Sequence, residues 1–169
     1  VYTSSVAWNK LGSKLHIVKK FKPRTSFIQK IPYFQDYPFL YRYFLPFIWR
    51  SFDLSNYDIV ITSSYAQISH FVSVPRNILH ICYSHSPPRH LYGYETDLNW
   101  EKYPVIQSIC RLLNVWLKRI DYKAAQRVSY FVACSQEVAN RIIKYYQREA
   151  QVIYPPLLLP IARKPVRQK

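Results

Sequence analysis

Short apolar runs alternate with segments of helical pattern along most of this chain. The predicted strands are residues 58–64, 79–83, 130–134 and 151–154, and the clearest predicted helices are residues 103–125 and 136–146. The run at 58–64 has no polar break before its hydroxyl residues, which is typical of an inner parallel strand covered on both faces. Strands that alternate with helices usually pair in parallel. The sequence therefore predicts an α/β fold, with a mostly parallel sheet and helices on both of its faces.

The first third of the chain is harder to assign. Residues 1–3 resemble the end of a strand, and the alternation at 15–18 favours a second one. Residues 37–52 form an aromatic-rich helical segment, in which Pro46 is expected to kink or break the helix. Its apolar residues lie all round, so it is either buried or placed at a lipid surface. A short helix is predicted at residues 65–72.

The charge of the chain is strongly positive but uneven. Twenty-four Lys and Arg against 9 Asp and Glu give a net charge of +15, which favours anionic partners. Residues 51–100, which contain the polar strand ends, hold two basic and four acidic residues. A nucleic-acid reader usually places its basic groups at its site, so no nucleic-acid partner is expected. A basic cluster earlier in the chain is either a solvated face or an anchor to anionic lipid. It comprises Lys19, Lys20, Lys22 and Arg24.

Length and residue usage limit the remaining classes. The chain of 169 residues suggests one domain, placed at 1–156, with 157–169 as a linker or tail. Cys82, Cys110 and Cys134 are odd in number and lie among apolar residues, as expected for reduced core thiols. No apolar run reaches the roughly 18 residues that span a bilayer. Gly12 and Gly93 are the only glycines, which excludes a glycine-rich phosphate loop within this sequence.

Polar side chains follow three of the predicted strands where each strand ends. Open α/β sheets bind ligands at the carboxyl ends of their strands. His85 lies just past one such end, and a neutral imidazole can hydrogen-bond a sugar hydroxyl or polarise a reacting group. We therefore take His85 as the candidate catalytic residue. The candidate substrate-binding residues are Ser63, Ser64, Ser84, Ser86, Arg89 and Ser135, and Ser135 also suits a helix N-cap.

Other chemistries fit the residues less well. Cys82, His85 and His90 lack a fourth ligand at the spacing of a structural zinc site, so no metal is expected. No serine lies in a glycine elbow, which disfavours a Ser-His-Asp hydrolase. Asp58 and Asp121 are interpreted as caps or salt-bridge partners.

Four segments resemble motifs of one enzyme family in the expected order. They are residues 55–64, 80–89, 121–135 and 138–156. The first is a strand that ends in serines, and the second carries the Tyr83-Ser84-His85-Ser86-Pro87 turn. Together they resemble the bacterial family 4 glycosyltransferases. The chain departs from these motifs at Ser69, His70, Ser84, Pro88, His90 and Cys134.

The resemblance implies one half of a GT-B fold, a Rossmann-like domain on the acceptor side. It implies sugar transfer with retention, often of mannose from GDP-mannose, to a lipid-linked or growing surface polysaccharide. His85 matches the histidine that contacts the transferred sugar. No separate cofactor is implied, because the nucleotide sugar binds mainly to a carboxy-terminal donor domain. The chain is expected to be a fragment without that domain and without the first strand, and to be inactive alone.

The resemblance also implies a peripheral protein on the cytoplasmic face of the plasma membrane. Two alternatives stay open at this point. One is a basic, non-catalytic module that binds anionic lipid or nucleic acid, and the other is a scaffold subunit that pairs with a separate donor domain.

Overall fold

The computed structural model describes residues 1–4, 15–31, 38–65, 69–93 and 104–156. Strands are β1 (Tyr2–Thr3), β2 (Arg24–Thr25), β3 (Ile59–Ser64), β4 (Leu79–Ser84), β5 (Tyr130–Ala133) and β6 (Ala150–Val152). Helices are α1 (Leu15–Lys20), α2 (Pro38–Arg50), α3 (Pro104–Ala125) and α4 (Gln136–Tyr146). Short 3-10 helices occupy Phe27–Lys30, Ser69–Phe71 and Arg89–Leu91.

The main sheet has four strands in the order β3-β4-β5-β6, and every neighbouring pair is parallel. Ser64 pairs with Ser84, and Ser84 pairs with Ala133, so three strands end at the same level. β1 and β2 form a separate parallel pair. The predicted α/β fold with a parallel sheet is confirmed, and its four main strands match their predicted positions closely. Helices were expected on both faces of the sheet, but α2, α3 and α4 all pack against the same face.

One face of this sheet is buried and the other is open on β3. Val60, Thr62 and Ser64 are buried, whereas Ile59, Ile61 and Ser63 are exposed, with Ile61 at 71%. The expectation that this strand is an inner one covered on both faces is therefore wrong. β3 lies at the edge of the described sheet, and an apolar run alone cannot distinguish the two faces of a strand.

Helices α2, α3 and α4 pack against the buried face in two apolar clusters. The first joins Leu45 and Ile48 of α2 and Leu117 of α3 to Val60 and Phe71. The second joins the α4 stripe to β4 and β5, and comprises Cys82, Ala125, Val128, Phe131, Ala133, Val138, Ala139, Ile142 and Tyr146. Burial of this apolar surface is the main favourable term that holds the helices on the sheet.

In the first third of the chain, the strand expected at residues 15–18 is wrong, and Pro46 does not break the aromatic-rich helix. Residues 15–18 lie in helix α1 rather than in a strand, because four residues are too few to separate a period of 2 from one of 3.6. Helix α2 continues through Pro46, which is buried. A proline forfeits one backbone hydrogen bond, and here the buried neighbours Leu45, Ile48 and Trp49 offset that loss.

The remaining elements follow the sequence more closely. The helix predicted at 103–125 is α3, although Tyr103 lies outside the described residues. Within the short helix predicted at 65–72, the structure has the 3-10 helix Ser69–Phe71, and residues 66–68 lie outside the described residues. Cys82, Cys110 and Cys134 are free; Cys82 is buried as expected, whereas Cys110 and Cys134 are only partly buried. Within the described ranges, no helix has the length and apolarity needed to cross a bilayer.

Candidate active site

The carboxyl ends of β3, β4 and β5 meet because hydrogen bonds between the strands continue past their last residues. The His85 backbone N–H donates to the Ser64 carbonyl at 2.8 Å, and the Cys134 N–H donates to the Ser84 carbonyl at 3.2 Å. Cys134 also donates from Sγ to the His85 carbonyl at 3.4 Å. These bonds fix the turn that carries His85 against the ends of both neighbouring strands.

The structure brings Ser63 and His85 together on the exposed side of the sheet. Ser63 Oγ and His85 Nε2 lie 3.0 Å apart, within hydrogen-bonding distance. In the neutral tautomer with the proton on Nδ1, Ser63 donates to Nε2 and Nδ1–H can donate to a ligand. Both side chains are exposed, so a ligand can reach the pair from the solvent.

Two tyrosines flank the His85 ring, and sequence reasoning missed both. The Tyr83 ring meets it edge-on with centroids 5.1 Å apart, and the Tyr65 ring does so at 6.4 Å. Tyr83 is held in turn because its hydroxyl donates to the Ile153 carbonyl at 3.1 Å. Their positions in sequence, beside the Ser63-Ser64 and His85 strand ends, were a usable signal. Aromatic rings beside a polar group suit a sugar, which has both apolar C–H faces and hydroxyls.

The other predicted residues lie around this pair in different environments. Ser64 and Ser84 are buried, because strand alternation turns them to the opposite face from Ser63. Ser86 is also buried and donates to the Pro87 carbonyl at 2.9 Å. Ser135 accepts from the Val138 N–H at 3.3 Å and so caps α4. Arg89 is exposed at the start of its 3-10 helix.

Ser64 belongs to a buried polar chain beneath the site. Its Oγ lies 3.2 Å from His70 Nδ1, and His70 Nε2 lies 2.8 Å from Asp121 Oδ1. The Tyr92 hydroxyl donates to Asp121 Oδ2 at 2.7 Å. Asp121 is therefore a partner of His70, as the salt-bridge interpretation expected. Because Ser64 and His70 are almost fully buried, this Ser-His-Asp chain is closed to substrate and supports the strand ends instead.

Burial shifts the protonation of the groups around this chain. Burial and the Asp121 carboxylate raise the pKa of Tyr92 and of Tyr146 well above the usual tyrosine value. Burial raises the pKa of the Cys82 thiol to about 12. Each stays neutral at physiological pH, so neither the phenols nor the thiol supplies a base or nucleophile here. The described residues also contain no group of three or more His, Cys, Asp or Glu side chains that could hold a metal.

A cavity of about 720 Å³ runs along the free edge of β3 to this site. Its walls come from β1, β3, the end of α2 and the loop that follows it, and they include Tyr2, Trp49, Tyr57 and Ile61. The cavity reaches Ser63 and Tyr65 at its site end. Ligand cavities in proteins are typically mostly apolar with a few fixed polar groups. This cavity has that character, because it has apolar walls such as Trp49 and Ile61 and carries the polar Ser63 at one end.

One of the comparisons with known proteins found a match, to a family model. No curated protein and no solved structure gave a significant match. The family model described as Glycosyltransferase Family 4 matches residues 4–157, which contain every strand of the main sheet and the Ser63–His85 pair. A match over most of the chain, on a parallel α/β sheet, places the chain in glycosyltransferase family 4.

Proposed function

We propose that this chain is the acceptor-side domain of a retaining transferase. In this proposal the donor is a nucleotide sugar, GDP-mannose, and the acceptor is a lipid-linked or growing surface polysaccharide. The observation that carries the proposal is the Ser63–His85 pair, 3.0 Å apart at the carboxyl edge of the sheet. It lies in a family 4 domain at the end of a cavity, so a sugar has both a polar contact and a space beside it.

His85 is proposed to hydrogen-bond the transferred sugar, and Ser63 to orient the imidazole. An imidazole fixed at one nitrogen presents the other in a defined direction, which lowers the entropic cost of binding the transition state. Tyr65 and Tyr83 both meet the ring edge-on and limit its rotation. Arg89 is exposed near the same turn, and we propose that it contacts an anionic part of a substrate.

A carboxy-terminal donor domain is proposed as the partner that binds the nucleotide. In a GT-B arrangement the reacting groups meet in a cleft between two domains, so neither half completes the site. We therefore propose that this chain alone does not transfer sugar. The protein is proposed to work on the cytoplasmic face of the plasma membrane, where exposed basic residues can meet anionic lipid. Lys19, Lys20, Lys22 and Arg24 are all exposed.

The test measures sugar transfer by the natural full-length protein. His85→Ala is expected to lower kcat at least about tenfold, which corresponds to ~1.4 kcal/mol of transition-state stabilisation. Ser63→Ala is expected to lower kcat less, and to add little in the double variant because both act on one group. His16→Ala replaces an exposed histidine of α1 and serves as the control. An unchanged kcat in His85→Ala would contradict the proposed role.

The donor and the division of labour are tested separately. A panel of nucleotide sugars should give turnover with GDP-mannose, and the product anomer, assigned by NMR, should keep the donor configuration. Transfer by the 169-residue chain alone would contradict the need for a donor domain. Preference for another nucleotide sugar would correct the donor while leaving the role of His85 intact.

A further inference from the structure

Helices α2 and α3 form an exposed apolar ridge on the outside of the molecule. Its members, which we call the α2–α3 ridge, are Phe44 (50% exposed), Phe47 (57%), Leu112 (73%), Val115 (51%) and Trp116 (40%). Phe44 and Phe47 are three residues apart on one helix, and the other members fall three and four residues apart on its neighbour. Such spacings place side chains on one side of a helix.

The ridge is continuous across the two helices. The Phe47 and Trp116 rings stack with centroids 6.4 Å apart and planes inclined by 24°. A second contact between the two helices is a hydrogen bond that the Tyr43 hydroxyl donates to Asn114 Oδ1 at 3.1 Å. The two apolar stripes therefore meet as one surface rather than as scattered exposed residues.

The core does not require these side chains. The inward side of α3 is formed by Leu117, Asp121 and Ala124, all buried, and the ridge lies on its outward side. Single exposed apolar residues are normal on soluble proteins, but contiguous exposed groups mark interaction surfaces. Five large apolar side chains on one surface therefore indicate a partner that removes them from water.

Within the part of the chain that the structure describes, the exposed charges on α2 and α3 have one sign. The exposed basic residues of these helices are Arg50, Arg111, Lys118, Arg119 and Lys123. The sequences of α2 and α3 contain a single acidic residue, Asp121, which is buried and bonded to His70 and Tyr92. The next described acid after α2 is Asp53, and its carboxylate accepts from the Ser55 N–H. Among the described residues, the outer surface of both helices thus combines apolar side chains with positive charge that no acidic side chain pairs.

We propose that the α2–α3 ridge is the docking surface for an anionic lipid bilayer. Aromatic side chains favour the headgroup level of a bilayer, and Lys and Arg can extend their charge to lipid phosphates above buried stems. A helix surface with apolar residues and a basic rim lies in the plane of such an interface. Nucleic acid fits less well, because the exposed aliphatic side chains of Leu112 and Val115 can neither pair with a phosphate nor stack on a base as an aromatic ring does.

This placement rests on the proposed function for its lipid-linked acceptor, but it is tested without any sugar. The natural full-length protein is mixed with vesicles of phosphatidylcholine, with or without phosphatidylglycerol, and the bound fraction is measured by sedimentation. Binding should require phosphatidylglycerol and weaken with salt. Phe47→Ser/Trp116→Ser and Arg111→Gln/Arg119→Gln should each weaken binding at least about tenfold.

The controls separate this surface from others. Tyr130→Ser/Ile143→Ser removes two comparably exposed apolar residues elsewhere (64% and 52%) and should leave vesicle binding unchanged, as should His85→Ala. Thermal melts confirm that the variants are folded. Lys19→Gln/Lys20→Gln tests the basic residues of α1. If this double variant loses vesicle binding while the ridge variants keep it, the assignment of the docking surface to the α2–α3 ridge is overturned.

A second readout locates the contact directly. Vesicles with brominated acyl chains should quench tryptophan fluorescence in the wild type, and Trp116→Phe should lose most of that quenching. Unchanged quenching in Trp116→Phe would overturn the proposal. Binding to uncharged vesicles but not to anionic ones would also overturn the proposal. So would binding of single-stranded RNA, if the ridge variants abolish that binding while they still bind vesicles.

Discussion

Asp121 is fully buried, and both of its carboxyl oxygens accept or share hydrogen bonds, one with His70 and one with Tyr92. An ionisable group at this depth is costly unless it is hydrogen-bonded. The bonds tie helix α3 to the loop after β4 and, through His70, to the end of β3. These hydrogen bonds therefore stabilise the strand ends that carry the Ser63–His85 pair.

Tyr92→Phe is expected to destabilise the fold by about 1.5–3 kcal/mol, the range for a hydrogen bond to a charged group. The ring would keep its stacking on Tyr145 and its contact with Lys118, so the loss reports the hydroxyl. Tyr122→Phe is the matched control, because its hydroxyl meets Gln147 at an exposed site, and it should cost less than about 0.5 kcal/mol. Urea unfolding measures both, and equal costs would contradict the argument.

His80 makes the stability depend on pH. Burial, with the nearby charges of His70 and Arg127, lowers the pKa of His80 from 6.5 to about 4. The unfolded state then binds more protons between these values, so the free energy of unfolding falls as pH drops from about 6.5 to 4. The loss attributable to this group is roughly 3 kcal/mol.

His80→Gln is the variant that isolates this term. An amide can still reach Thr62 Oγ1, which lies 3.1 Å from His80 Nε2 in the wild type, but it does not titrate. Unfolding free energies of both proteins across this pH range should show a shallower slope for the variant. Identical slopes would mean that His80 does not stay neutral in the fold.

At the scale of elements, α4 has the most complete terminal signals. Ser135 adopts an extended backbone and caps the first turn, while Gln147 ends the helix in the left-handed region at φ 54°. Glu137 and Arg141, four residues apart, pair at 2.9 Å on its surface. Because α4 starts directly after β5, the cap also fixes how the helix leaves the site.

Ser135→Ala is expected to destabilise the fold by about 1 kcal/mol through loss of the N-cap. Ser135→Asn should restore most of that stability, since asparagine caps helices about as well as serine does. Chemical denaturation of the three proteins provides the measurement. If Ser135→Asn also restores sugar transfer in the full-length protein, the hydroxyl is a cap; if stability returns without transfer, Ser135 contacts substrate as well.

At the scale of the whole molecule, the open side of the sheet is the main unsatisfied surface. Ile59, Ile61 and Tyr130 are exposed there, although parallel sheets usually have both faces covered. No described strand pairs with the outer edge of β3 in the main sheet, which leaves backbone groups there available for pairing. In the isolated chain these features favour association of one copy with another.

Ile61→Lys is expected to reduce concentration-dependent self-association of the isolated chain. Its thermal stability should change little, because Ile61 is 71% exposed and exposed substitutions usually stay within about 0.5 kcal/mol. Ile143→Lys adds the same charge on the exposed side of α4 and is the control. Sedimentation velocity over a range of concentrations provides the measurement, and equal effects of both variants would show that net charge, not the open sheet, controls association.

The sequence by itself determined the four strands of the main sheet, their parallel direction and the edge at which the candidate site lies. Short apolar runs such as those of β4 and β5 predict strands directly, and the carboxyl ends of parallel strands lie at the same edge of a sheet. It also indicated His85, because a polar group after a buried strand has a defined place. Four residues at 15–18 held too short a pattern, and the helix there was missed.

Only the tertiary structure decided which of the polar residues act together. Strand alternation sends Ser63 toward His85 and Ser64 toward His70, a distinction that depends on which face is buried. His70 and Asp121 are 51 positions apart, so no local pattern could pair them. The exposure of Ile61 and of the α2–α3 ridge likewise depends on what packs beside them. Local periodicity fixes the elements, whereas burial and partnership are properties of the assembled chain.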